Sequence, residues 1–145
     1  MRKVFPLVLL LLFYGCSSIL YAPDEAKIRK YSRVEIWLSD FSYKITAYYE
    51  NQGLPIPANF NGSKFIEILE KIYPDQTKVR SIKNEFKIKA RSIDNGYSVI
   101  LCAPDTDNKI MEDFSCNLKS VEIRYWDKEG AYPCSFEQNW KAYCK

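Results

Sequence analysis

Four of the chain's five cysteines stand in its last third, at Cys102, Cys116, Cys134 and Cys144. An even set of thiols in one stretch reads as a disulfide framework in an oxidising compartment, and it restricts the folds open to that stretch. Zinc is the rival use, but CxxC spacing is absent and the chain has no histidine. Two disulfides are therefore expected. Pairing of neighbours, 102 with 116 and 134 with 144, is favoured. The rival is a helical tail, because Ser135 to Gln138 resembles a capping box and Phe136, Trp140 and Tyr143 have helical spacing. A continuous helix would hold Cys134 and Cys144 about 15 Å apart, too far for a bridge, so a helical tail requires crossed connectivity. The missing histidine also removes Ser-His-Asp and Cys-His catalysis.

The fifth cysteine, Cys16, closes a different kind of segment. Arg2 and Lys3 precede an apolar and aromatic run over residues 4–14, and Gly15 separates that run from Cys16. A spanning helix needs about 20 apolar residues, roughly twice this length, so the segment reads as a removable export signal. Gly15-Cys16 after the apolar run resembles the lipobox of bacterial lipoproteins, a resemblance confined to residues 2–16. It implies cleavage between Gly15 and Cys16, a diacylglyceryl group on the Cys16 thiol and an acyl chain such as palmitate on the new amine. Each buried methylene contributes about 0.8 kcal/mol, and stable anchoring takes more than one chain. The resemblance further implies the outer membrane over the inner where there are two, since Ser17 stands where an inner-membrane lipoprotein of enteric type often carries Asp.

Without residues 1–15 the chain keeps about 130 residues, enough for one core. The segment carries off Arg2 and Lys3, leaving 19 basic against 18 acidic residues. That near-neutral balance implies no nucleic-acid partner. Residues 16–33 read as a lipidated N-terminus and polar tether, in which "DEAKIRK" is a short helix or part of the tether. Residues 34–145 read as a single domain.

Within that domain, Val34, Ile36 and Leu38 alternate, and after a change of phase so do Phe41, Tyr43, Ile45, Ala47 and Tyr49. A hairpin turning at Ser39-Asp40, or one long strand with a bulge, would place these residues on one side. Trp37 is out of phase and would be exposed or cover a second face. "NQGLPIPANFNG" reads as a loop. Phe65, Ile68, Leu69 and Ile72 then recur at helical spacing, with Asn61 or Ser63 as N-cap and Pro74 past the end. The sequon Asn61-Gly62-Ser63 thus reads as loop and helix start. Phe86, Ile88 and Ala90 alternate with charged residues up to Asn95-Gly96, a dipeptide suited to a type I′ hairpin. That turn pairs Asp94 with Tyr97 and Ala90 with Leu101, with Ile100 and Cys102 on the opposite face. "LKSVEIRYW" supplies a further strand. The expected class is α+β: a small antiparallel sheet with one main helix packed on it, stapled by disulfides.

Few residues suggest chemistry. "PDTDNKIMED" offers Asp105, Asp107, Glu112 and Asp113 in what reads as a polar loop between strands. A calcium loop of EF-hand type needs glycine at its sixth position, which here is Ile110. Paired carboxylates for glycoside hydrolysis would have to meet in space. Lys83, Lys87, Lys89 and Arg91 form a basic stretch that could meet anionic lipid or wall polymer, or simply guard a solvated strand. No metal, cofactor or catalytic residue is assigned. The leading reading is a noncatalytic envelope protein, held to the membrane through Cys16 and binding another envelope protein as an assembly or accessory factor. A small carboxylate-dependent hydrolase, or an inhibitor using a protruding 103–115 loop, are the alternatives. Binding requires an exposed apolar or aromatic patch, and hydrolysis a pocket with convergent acids.

Overall fold

A computed structural model describes residues 25–116, 121–125 and 132–144. The signal, Cys16 and the start of the tether lie outside the described residues. The order is α1 (Glu25–Gln52), α2 (Gly62–Ile72), α3 (Gln76–Glu85), β1 (Lys87–Ile93), β2 (Gly96–Cys102), β3 (Lys109–Ser115) and β4 (Val121–Tyr125). The strands form one antiparallel sheet in the order β1-β2-β3-β4. The class is α+β with a disulfide-stapled antiparallel sheet, as expected, and its helix layer holds two helices besides α2.

Compact packing divides the chain into Met1–Ser32 and Arg33–Lys145. Of the first unit, residues 25–32 are described. They are helical, with Lys30 and Tyr31 half-buried and an ion pair between the exposed Arg29 and Glu25 at 2.7 Å.

In the second unit the hairpin expected over residues 34–49 is instead part of α1. Val34, Leu38, Phe41, Ile45 and Tyr49 are all buried, at steps of four, three, four and four residues. That is the spacing of a single helical stripe. The helix runs from Glu25 without a glycine or proline to stop it until Gly53, whose φ of +63° closes it. Leu54 N–H donates to Tyr49 C=O at 3.1 Å and Gly53 N–H to Glu50 C=O at 3.0 Å, the paired bonds of a Schellman cap. The alternation arose because Ile36 and Tyr43 are apolar too, although they point to solvent. Trp37 is half-buried, with the Arg33 guanidinium 5.2 Å from its ring.

The helix α2 forms where expected. Asn61 caps it by accepting from Lys64 N–H at 3.0 Å, while Phe65, Ile68 and Leu69 face the core. Asp75 caps α3 in the same way through Thr77 N–H, and Val79 and Ile82 are its buried residues.

The first hairpin is shifted by two residues from the expected pairing. Ala90 faces Val99 and Ile93 faces Gly96, so the turn is Asp94-Asn95, with Asp94 at φ 38°. A shift of two keeps every side chain on its face, and Ile100 and Cys102 do lie opposite the helices. Gly96 sits inside β2 for a different reason from the expected one. A Cβ there would come 1.8 Å from Ser115 C=O, so only glycine lets β3 run alongside.

The largest correction is β3. What reads as a polar loop between Cys102 and Cys116 contains an inner strand, and every residue of β2 and β3 is buried. Helices cover one face of this pair. On the other lies the C-terminal strap, residues 132–144, whose only helical part is the short turn Trp140–Ala142. Cys102 bonds Cys134 and Cys116 bonds Cys144. The connectivity is therefore crossed, not neighbour to neighbour, although the tail is no continuous helix. The strap returns across the sheet and is fastened near both its ends.

Candidate functional site

On the sheet face toward the helices, α2 packs on β1 and α1 reaches β2 and β3. Tyr97 Oη donates to Ser42 C=O at 3.1 Å, and Ser42 Oγ donates to Asp113 Oδ2. Beside these contacts, Ile123 of β4 meets the outer flank of α1 in a groove of about 590 Å³. Glu35, Ile36, Ser39, Asp40 and Tyr43 form its other wall. Ile36 is 68% exposed and Tyr43 67%, away from the helix's buried stripe of Val34, Leu38, Phe41, Ile45 and Tyr49. Seven residues separate them, two helical turns or about 10.5 Å. Tyr73, at the end of α2, donates to Asp40 and packs its ring edge on Phe41 with centroids 5.0 Å apart. Burial, then the Asp40 contact, pushes the Tyr73 hydroxyl up to about 12, so it remains a donor at physiological pH. Neither Glu35 nor Asp40 forms an ion pair with a described residue.

A second hollow, of about 320 Å³, lies where α2, α3 and β1 meet, and Glu67, Glu70 and Lys83 stand on its rim. Its acids are occupied: Lys71 and Lys64 bond Glu67, and Lys83 bonds Glu70 at 3.0 Å. Hydrogen bonds from Lys71 and then Lys64 lower the Glu67 pKa, the direction opposite to that wanted in a general acid at neutral pH.

The four acids of "PDTDNKIMED" are not brought together. Asp105 is exposed and caps Thr106 N–H, and Asp107 pairs with Lys87 at 3.2 Å. Glu112 and Asp113 are adjacent in β3 and so point to opposite faces. Among the described residues no three acids or cysteines form a metal-holding group. Nor does the 103–115 segment protrude. Ala103 N–H bonds Asn108 C=O and Cys134 N–H bonds Asp107 C=O, which ties the short turn down before β3 begins.

Each buried acid instead joins the sheet to a covering layer. Asp113 Oδ2 accepts from Ser42 and from Ser115 at 3.1 Å, while Oδ1 has no hydrogen-bond partner among the described residues. Complete burial raises this carboxyl to about 7 against the two serine bonds that lower it. Burial and the facing Asp113 raise the Tyr97 hydroxyl as well. Glu112, on the strap side, accepts from Lys109 at 2.9 Å, from Ser98 at 2.8 Å and from Glu137 N–H at 3.4 Å. Residues three apart in a strand ordinarily face opposite ways. Here a bulge leaves Ile110 without an opposite residue, between Leu101↔Met111 and Cys102↔Lys109, and turns Lys109 to the same side as Glu112.

The basic stretch is engaged by groups of the same domain, although its three lysines are exposed. Lys83 and Lys87 form the ion pairs above, Lys89 donates to Cys134 C=O, and Arg91 donates to Glu137 C=O with its guanidinium 4.5 Å from the Phe136 ring. Burial lowers the Arg91 pKa. Lys89 and Arg91 thus hold the strap, while Lys83 and Lys87 tie α2 to α3 and β1 to the turn before β3.

Comparison with protein-family models, curated proteins and solved structures finds no match. No described helix is long and apolar enough to cross a membrane. Sequence reading missed the groove because it placed Ile36 and Tyr43 in a core. The signal was present: Val34, Leu38, Phe41, Ile45 and Tyr49 already make a complete stripe without them.

Proposed function

We propose that this chain is a lipid-anchored cell-envelope protein whose domain binds another envelope protein as a noncatalytic assembly or accessory factor. The carrying observation is the exposed Ile36 and Tyr43 pair beside Ile123. Exposed apolar side chains grouped in a concavity favour a macromolecular partner, and the acid-rimmed hollow elsewhere has its carboxylates engaged by lysines. Removal of residues 1–15 and acylation of Cys16 would hold the domain at the envelope, at the outer membrane where there are two. Anchoring raises its effective concentration toward a membrane-bound partner. Two disulfides suit that compartment.

The test is crosslinking in the native envelope with the full chain. The double variant Ile36→Lys/Tyr43→Lys is expected to lose its crosslinked species about tenfold or more, the scale of removing an interface anchor. Its stability should stay within about 0.5 kcal/mol of the parent, as for other surface changes. Cys16→Ala is expected to leave the membrane fraction and to lose acyl labelling. Undiminished crosslinks in the double variant would exclude this surface, and unchanged fractionation of Cys16→Ala would exclude the anchor.

A further inference from the structure

The groove also restricts what kind of segment can fill it. We infer that it receives a basic amphipathic helix of the partner, an inference that rests on the binding reading above. Among the described residues the helix layer covers β1 to β3 and ends at α1, so Ile123 of β4 looks into a space bordered on one side only. Helices pack 8–10 Å apart, and a helix laid alongside α1 at about that distance would stand over β4. It would continue the layer already built by α2 and α1. Its apolar stripe would meet Ile36 and Tyr43, two turns apart, and Ile123 beneath. An extended segment is a poorer fit, since these contacts are spaced by helical turns on a helical wall.

Charge selects among helices. Glu35 and Asp40 are both acidic, both line the groove, and no described cation pairs with either. A partner carrying Lys or Arg beside its apolar stripe gains from both carboxylates, whereas an acidic one is repelled at both. The Tyr73 hydroxyl helps by fixing Asp40 in place from the α2 side.

The experiment places a photoreactive phenylalanine derivative at position 43 of the full lipidated chain. A second copy of the experiment places it at position 140, on the strap side. After irradiation in the native envelope, crosslinked peptides are sequenced. The expected adduct at 43 is a peptide of another protein with apolar residues at three- and four-residue spacing and flanking Lys or Arg. Adding Glu35→Lys should lower its yield about tenfold or more. An adduct to a second copy of this chain, to its own residues 117–131, or to an acidic or nonhelical segment overturns the inference. So does a yield indifferent to Glu35→Lys. Partner adducts at 140 with none at 43 would overturn the groove assignment and leave binding intact, while silence at both positions would overturn binding as well.

Discussion

Replacing Glu112 with alanine is expected to lower the unfolding free energy by about 3–5 kcal/mol, the usual effect of taking one member from a buried ion pair. Glu112 is fully buried and Lys109 is 4% exposed, so water cannot take over the role of the lost carboxylate. The change also withdraws an acceptor from Ser98 and from the strap's Glu137 N–H. The effect should therefore have a location: amide exchange should quicken around residues 135–139 before it does in α2. Lys109→Met/Glu112→Leu is expected to recover much of the loss, because two apolar side chains need no charge partner. Urea unfolding at neutral pH checks both, and an unchanged midpoint for the single variant would show that the pair does not hold the strap.

Asp113 gives the second large effect, with the sign set by its raised pKa. Its unfolded carboxyl ionises near 3.8 and its folded one at about 7, so between these values the folded state holds the additional proton. Stability is then greatest below the lower value, falls as pH rises to the upper one and is level beyond it. Three units at about 1.4 kcal/mol each place the whole fall near 4 kcal/mol. Asp113→Asn keeps the shape without the charge and is expected to abolish that slope, leaving the variant more stable than the parent at pH 8. Glu67, with its lowered pKa, acts in a separate range: its contribution is present above 4.5 and lost as pH falls through its folded value. Thermal unfolding from pH 4 to 8 decides the matter. A parent without the downward slope, or a variant that retains it, would contradict the assignment.

These two acids also explain which parts of the fold were legible in the sequence. The helix α2 combined a clean apolar face with a capping asparagine, two cues that agreed. The first hairpin shows its period and parity in the sequence, but Asn95-Gly96 has the look of a turn when the role of Gly96 is to let Ser115 pass. The strand β3 escaped notice because its Lys109, Glu112 and Asp113 have the composition of a solvated loop. Apart from Ser115 and the Lys109–Glu112 pair itself, their partners come from Ser98, Ser42 and the strap, none of them a near neighbour in the chain. The helix α3 has only Val79 and Ile82 as its buried residues, too few for a periodic pattern to stand out. Crossed disulfides depended on the strap's return path, which no spacing reveals.

The misreading of α1 has a more useful cause. A helix with one buried stripe needs five apolar positions between Val34 and Tyr49, and this one carries Ile36 and Tyr43 in addition. Those two residues turned a helical pattern into an apparent alternation. They are also the residues left in solvent beside Ile123. Departures from local consistency are expected where function makes demands that folding does not, and here the departure coincides with the candidate docking surface.

On the proposal above, the five cysteines divide into one anchor, Cys16, which would set where the domain works, and two crossed staples, which hold its strap. Intact mass and nonreducing peptide mapping of the protein recovered from its native envelope test this directly. The predicted result is a chain beginning at an acylated Cys16, with Cys102 joined to Cys134 and Cys116 to Cys144. A chain with residues 1–15 retained and a free Cys16 thiol, or bridges joining 102 to 116 and 134 to 144, would contradict it.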